Sequence, residues 1–135
     1  MTPSEIEAVM HAKLPISAAW GVRVLEAAEG RARIELPPRA ELLRPGPTLC
    51  GPALMGLADM ALWAALLGLN DGRDESLTAG LTIAFLRPAG TGAVIAEARL
   101  IKPRGRSLYG EVTLARADTG AVCAHATSHW VSVGP

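Results

Sequence analysis

The sequence has little of several residue types that mark particular classes of protein. Two cysteines, Cys50 and Cys123, occur in 135 residues, too few for the disulfide framework of a small secreted domain. Lysine and arginine together number 13, as do aspartate and glutamate, and this zero net charge argues against a broad nucleic-acid-binding face. Aromatic residues make up 4% of the chain, so we expect a core built mainly from Ala, Leu, Val and Ile.

The first residues also lack the basic stretch and the apolar stretch of a secretory signal. We therefore expect a cytoplasmic protein, and the length fits one domain that covers residues 1–135. Thr2, Pro3 and Glu5 have the spacing of a capping box, which predicts a short amphipathic helix within residues 1–15 that Pro15 ends.

One stretch, residues 51–69, is apolar apart from a single acid, Asp59. Pro52 near its start and the Asn70–Gly72 segment after it predict a helix that covers the whole stretch. Its length approaches that of a membrane span, but the central acid and the strand patterns that follow favour a helix buried inside protein.

The rest of the chain shows strand patterns, in which apolar and polar residues alternate. A sheet curled around the apolar helix, an α+β arrangement, is therefore the expected fold class. Such a sheet cannot enclose the helix alone, so we expect a second copy to cover the remainder. The predicted strands are residues 20–27, 31–36, 77–87, 93–102, 107–116 and 121–133.

Asp59 is the first candidate for chemistry. On a helix it shares its face with Met55, Gly56, Leu62 and Trp63, none of which neutralises a carboxylate, and apolar surroundings raise the pKa of a carboxyl group. Such a group suits a base or a nucleophile. The alternative is a structural Asp that accepts hydrogen bonds from a neighbouring loop or strand.

The start of the same helix is the second candidate, because helix N-terminal amides are free and favour negative charge. The Gly51 amide could stabilise an oxyanion, although ordinary capping is the alternative. Cys50 could be a nucleophile activated by this helix end, but no His lies nearby in sequence.

Two histidines and a cysteine, Cys123, His125 and His129, share one face of the last predicted strand. This pattern suggests a metal site. However, residues four apart in a strand are roughly 13 Å apart, too far for the two histidines to chelate one ion. We expect these residues to pack or to line a pocket or interface, and we expect no metal.

Several segments together resemble one family, the hotdog-fold acyl-CoA thioesterases of the phenylacetate-degradation (PaaI-like) type. The segment 49–59, Leu-Cys-Gly-Pro-Ala-Leu-Met-Gly-Leu-Ala-Asp, is similar to the family's His-Gly-Gly…Leu-Ala-Asp motif. The similarity continues through residues 81–89, 105–107 and 119–127, and spans about residues 20–133 in the family's order. The resemblance implies a hotdog fold, a homodimer or dimer of dimers, and hydrolysis of an acyl or aryl-acyl coenzyme A thioester.

The resemblance also implies roles for individual residues. Asp59 falls on the catalytic carboxylate, Gly51 on the glycine whose amide polarises the thioester carbonyl, and Thr78 on a residue that relatives supply from the facing subunit to hold the water. Arg104 and Arg106 lie in the basic turn that meets coenzyme A phosphates. No cofactor is implied, since coenzyme A is part of the substrate.

The helix start departs from the family pattern. Cys50 replaces the usual His, Pro52 replaces the second Gly, and Arg44 occupies a position that is often Asn. Cys50 and Trp63 are expected to contact substrate, with Trp63 as a wall of the acyl pocket. A hotdog protein that binds an acyl-CoA or acyl ligand without hydrolysing it is the alternative function, and a dehydratase, which would need a His at the helix start, ranks below both.

Overall fold

In a computed structural model, which describes residues 1–73 and 75–133, six antiparallel strands form one sheet beside a long helix. The helices are α1 (Pro3–Lys13), α2 (Pro15–Ala19) and α3 (Gly51–Leu69), with a 3-10 turn at Ala40–Leu42. The strands are β1 (Arg23–Ala28), β2 (Arg31–Leu36), β3 (Leu43–Arg44), β4 (Thr48–Leu49), β5 (Ser76–Phe85), β6 (Val94–Lys102), β7 (Ser107–Arg116) and β8 (Val122–Ser132).

The large sheet has the strand order β1-β2-β6-β7-β8-β5, and every neighbouring pair is antiparallel. Helix α3 packs against all six of these strands, and α1 packs against the edge strand β1. This is the hotdog arrangement that the sequence predicts, with a sheet that remains open. The other edge strand, β5, is exposed along most of its length.

Helix α3 has the bounds predicted for it. Pro52 lies in its first turn, where a missing amide hydrogen costs nothing, and Asn70 caps its C-terminal end. Within the described chain it is the one helix long and apolar enough to cross a bilayer, yet 61% of its apolar window is buried against the protein. Twelve of its 19 residues are buried, which accounts for its composition.

One stripe of α3 is not covered by the chain's own sheet. Pro52 and Met55 are exposed, and Gly56 and Asp59 are partly buried. These positions lie three or four residues apart, so they share one face of the helix. The sole acid of α3 therefore lies at the boundary between its covered and uncovered sides.

Two local features differ from the sequence expectations. Pro15 ends the first helix but also occupies the first turn of α2, because proline is tolerated at a helix start. The predicted loop before α3 contains a small hairpin, β3–β4, with Leu43 opposite Leu49. The predicted domain of residues 1–135 includes Asp74, Gly134 and Pro135, which lie outside the described residues.

The close approach of α3 to β1 gives a test of the packing. A Cβ atom at Gly68 would lie 2.8 Å from the Ala27 carbonyl oxygen, and backbone cannot yield as a side chain tip does. We expect Gly68→Ala to lower the free energy of unfolding by about 1–2 kcal/mol, after its gain in helix propensity is included. Urea denaturation measures this. Gly92→Ala is the control, since a Cβ there meets no atom within 4 Å, and equal stability of the two variants would contradict the packing.

Candidate active site

The acid of α3 is paired with a hydroxyl from the edge strand. Thr78 Oγ1, near the start of β5, donates a hydrogen bond to Asp59 Oδ1 at 2.7 Å. Both residues belong to the same chain. The resemblance implied that the facing subunit supplies Thr78. In this structure Thr78 contacts Asp59 of its own protomer, because β5 runs beside the middle of α3.

Burial and this hydrogen bond shift the pKa of Asp59 in opposite directions. Partial burial raises the pKa of the Asp59 carboxyl because the charged form loses solvation. The hydrogen bond from Thr78 lowers the pKa because it stabilises the carboxylate, but burial is the larger effect. Asp59 is thus a stronger base than an ordinary aspartate, while one of its oxygens is held in a fixed orientation.

A cavity of about 220 Å³ opens beside this pair. Its wall is mostly apolar and combines residues from several separate elements. Ser76 and the Lys13 side chain add polar groups to it. The lining residues are Lys13, Leu14, Asp59, Met60, Trp63, Ser76, Leu77, Thr78 and Trp130.

Gly51, the first residue of α3, lies elsewhere. It lines a second cavity of about 440 Å³ together with the end of β5, where Phe85 lies beside it. Gly51 precedes Asp59 by eight residues, which is about 12 Å along a helix axis. The Gly51 amide and the Asp59 carboxylate of one chain cannot meet at one carbonyl, contrary to the simplest interpretation of the sequence.

The remaining predicted site residues do not share one cavity. Trp63 lines the Asp59 cavity. Cys50 is the N-cap of α3, but its side chain makes no capping bond. Arg104 lines a third, smaller cavity that also includes Ser76. Arg106 is absent from the lining of that cavity.

The cysteine and two histidines of β8 do not converge. Cys123 is fully buried and its thiol donates to the Leu114 carbonyl oxygen at 3.4 Å. His125 Nε2 lies 3.5 Å from Glu111 Oε2, and His129 Nε2 is hydrogen-bonded to Ser107 Oγ at 2.7 Å. Among the described residues no group of three possible ligands is close enough to hold a metal ion.

The sequence patterns do not reveal several residues that line the Asp59 cavity. Lys13 and Leu14 come from the end of α1, and Trp130 comes from β8. Trp130 is the direct cross-strand neighbour of Thr78. The register of β8 against β5 would have indicated this contact, but alternation alone does not fix a register.

Comparison with known families agrees with this arrangement. A model of the thioesterase superfamily matches residues 46–123, which include α3 and strands β5 to β7. The chain belongs to the thioesterase superfamily. Its long helix and its antiparallel sheet are those of that hotdog family, and the chain is PaaI-like within it.

Individual relatives of this chain agree with that assignment. A putative esterase from Saccharolobus solfataricus is 31% identical over 109 residues, which cover 81% of this chain and 76% of that protein. A putative thioesterase from Silicibacter sp. has 25% identity and a TM-score of 0.87, covering 100% of this chain and 93% of the other. A variant of the phenylacetic acid degradation protein PaaI from Thermus thermophilus has 27% identity and a TM-score of 0.76, with coverage of 87% and 98%.

The raised pKa of the Asp59 carboxyl predicts that this acid lowers the stability of the protein at neutral pH. The folded state holds the Asp59 proton more tightly than the unfolded chain does. Stability is therefore lost as the pH rises from 3.8, the ordinary pKa of an aspartate, through the raised pKa of folded Asp59. We expect Asp59→Asn to raise the melting temperature at pH 7, and the gain to vanish below about pH 3.8.

The control is Asp118, whose carboxyl pKa is shifted in the opposite direction from that of Asp59. Asp118 accepts two hydrogen bonds from Arg116, at 3.1 and 2.9 Å, and this contact lowers the pKa of the Asp118 carboxyl. Asp118→Asn should therefore leave the melting temperature unchanged or lower it. Thermal melts of the wild type, Asp59→Asn and Asp118→Asn across about pH 3–8 measure these effects. A lower melting temperature for Asp59→Asn than for the wild type at pH 7 would contradict the destabilising role of Asp59.

Proposed function

We propose that this protein is a cytoplasmic acyl-coenzyme A thioesterase, which releases a free acid and coenzyme A. The observation that carries this proposal is the Asp59–Thr78 pair at the wall of a mostly apolar cavity. An acyl group suits such a cavity because its carbon skeleton is apolar. The reaction needs water and the protein's own side chains, with no cofactor or metal.

Asp59 acts as the general base. Thr78 holds Oδ1, which leaves Oδ2 to accept a proton from water as the water oxygen attacks the thioester carbonyl carbon. The tetrahedral intermediate then collapses, the carbon–sulfur bond breaks, and the proton on Asp59 passes to the departing thiolate. The raised pKa of Asp59 brings it closer to the operating pH, where a base is most effective.

The protein functions as a homodimer paired along β5. This strand lies at the open edge of the sheet, and its Leu77 and Phe85 side chains are more than half exposed. An unpaired edge with apolar side chains is a template for pairing with another chain. A second copy on β5 would also cover the exposed stripe of α3, and the dimers could pair further into a dimer of dimers.

Such a dimer completes the site. Thr78 lies beside Asp59, whereas Phe85 lies beside Gly51. The start of β5 is therefore next to the proposed base, and its end is next to the proposed oxyanion donor. Antiparallel pairing about a two-fold axis between Leu81 and Thr82 would place the partner's Phe85 opposite Thr78. The partner's Gly51 amide then approaches Asp59 from outside and supplies the oxyanion donor.

The other predicted residues take supporting roles. Trp63 forms part of the wall against the acyl group. Cys50 precedes the Gly51 amide and keeps its own amide bonded to the Leu42 carbonyl oxygen, which fixes the helix start. Arg104 and Arg106, on the turn between β6 and β7, contact the phosphates of coenzyme A.

The first prediction concerns the base. We expect Asp59→Asn to lower thiol release from acyl-coenzyme A at least about a hundredfold, the usual contribution of a general base. Asparagine retains an oxygen for Thr78, so the fold is preserved. A thiol-detecting assay over a panel of acyl and aryl-acyl thioesters measures the loss, and normal turnover in the variant would contradict the proposal.

The non-catalytic alternative makes a different prediction for the same panel. Pro52 has no amide hydrogen, which removes one donor from the helix start. If the wild-type protein is thermally stabilised by acyl-coenzyme A yet releases no thiol from any member of the panel, the protein is a binding module.

The second prediction concerns the shared site. Gly51→Pro removes the proposed oxyanion donor, and the extended backbone of Cys50 (φ −72°, ψ 154°) tolerates a following proline. We expect Gly51→Pro and Asp59→Asn each to be inactive alone. Mixed in equal amounts, half of the dimers contain one intact site, so about a quarter of wild-type activity should return.

Gly51→Ala is the matched control for this experiment. It keeps the amide, and its Cβ would meet Phe85 at an ordinary 3.5 Å, so activity should stay close to that of the wild type. Subunits are exchanged by refolding the mixture together. Recovery of no activity in a mixture shown to contain heterodimers would exclude a site built from two protomers.

A further inference from the structure

Strand β5 contacts helix α3 through two residues that a regular strand would turn to opposite faces. Thr78 donates to Asp59 of α3, and seven residues later Phe85 lies beside Gly51 at the start of α3. Residues of a regular strand alternate between the two faces of a sheet, so positions seven apart point in opposite directions. Both contacts are possible because β5 contains one extra residue between them.

The extra residue is Ala79. In the pairing of β5 with β8, Thr78 lies opposite Trp130 and Gly80 lies opposite His129, so Ala79 has no counterpart. This irregularity is a β-bulge, which bends its strand and disturbs the hydrogen-bond ladder locally. Bulges often adjoin active sites because they redirect a side chain. Here the bulge directly follows Thr78, the residue that holds the proposed base.

A buried hydroxyl from the neighbouring strand holds the bulge. Ser128 of β8 is 1% exposed, and its Oγ donates to the Gly80 carbonyl oxygen at 2.9 Å. The nearest residues on the same face of β8, Ala126 and Trp130, are buried and apolar. A buried hydroxyl costs free energy unless it is hydrogen-bonded. The serine at this otherwise apolar face is therefore explained by the bulge carbonyl that it bonds.

We propose that Ser128 is a positioning residue for the Asp59–Thr78 pair. Ser128 fixes the Gly80 carbonyl and with it the bend of β5 at the bulge. This bend directs Thr78 Oγ1 at Asp59 Oδ1. Ser128 is not among the residues that line the Asp59 cavity, so it acts through the strand and not on a ligand. The inference rests on the proposed function, in which Asp59 is the base.

A weaker hydrogen bond from Thr78 has a measurable effect on Asp59. The bond lowers the pKa of the Asp59 carboxyl, so its loss raises this pKa. Activity that needs the Asp59 carboxylate then falls at a higher pH on the acid side of the pH–rate profile. Of the elements around this cavity, α1 contributes one other charged side chain, Lys13, while β5 and β8 contribute none. Lys13 stays the same in every variant below.

The pH dependence of kcat/KM for acyl-coenzyme A tests the proposal. Thr78→Val removes the hydroxyl, and we expect it to move the acid limb upward by about one pH unit. Ser128→Ala should move the limb in the same direction by about half a unit, because the hydroxyl of Thr78 remains but is no longer fixed. In the double variant the limb should coincide with that of Thr78→Val, because both residues act through one hydrogen bond.

Cys123→Ala is the matched control. Cys123 is also buried on β8, but its thiol donates to the Leu114 carbonyl oxygen of β7. This variant should lower the melting temperature and leave the acid limb in place. Ser128→Cys keeps most of the side-chain volume and replaces the hydroxyl by a weak donor. It should shift the limb as Ser128→Ala does, and it carries the test if Ser128→Ala fails to fold.

Three results would overturn the proposal. An unchanged acid limb in the Ser128 variants would show that the bulge carbonyl does not orient Thr78. Shifts that add in the double variant would show that Ser128 acts independently of Thr78. The same shift in Cys123→Ala would show a general loss of packing.

Failure of the proposed function is distinguishable from these results, because the wild type would then release no thiol. NMR titration of isotope-labelled aspartate carboxyls, with the Asp59 signal assigned by its loss in Asp59→Asn, measures the same pKa without turnover. A higher Asp59 pKa in Ser128→Ala than in the wild type would support the positioning role. An unchanged pKa would overturn it.

Discussion

A long apolar helix can exist in water only if something covers it on every side, and this requirement organises the whole protein. The six-stranded sheet covers most of α3, but the stripe that includes Pro52, Met55 and Asp59 stays outside its cover. Asp59 lies at that boundary. It is buried enough for its pKa to rise, and it remains open enough to border a cavity.

The geometry of β5 connects this boundary with function. One strand lies beside Asp59 at its beginning and beside Gly51 at its end. The same edge is the place where a second copy is proposed to pair. Assembly and catalysis would then depend on one strand, and neither the acid nor the amide donor would be effective in a solitary chain.

Much of the fold follows from local signals in the sequence. The bounds of α3 are predictable because proline marks its first turn, and the strands of the large sheet lie within a few residues of their predicted positions because alternation has a clear period. Helix α2 is not predictable in this way. Pro15 both stops one helix and permits another, and the sequence contains no signal that separates these two effects.

The candidate site is predictable in part. Asp59 stands out because it is the single acid of an apolar helix, and Trp63 follows from helical spacing. The eight-residue spacing of Gly51 and Asp59 already implies about 12 Å between them, so their separation within one chain needs no structure. By contrast, the positions of Thr78, Trp130 and Lys13 in the wall of the Asp59 cavity depend on strand register and on how α1 docks, which are tertiary features.

The open edge of β5 has a consequence for the folding and assembly of a newly made chain. A ladder of unpaired amides and carbonyls flanked by apolar side chains accepts any exposed strand, whether from an identical folded copy or from a misfolded one. If two copies pair along β5 as proposed, each new chain passes through an interval in which that pairing competes with aggregation. Pairing follows mass action, so the apparent stability of such a dimer would depend on its concentration and would fall on dilution.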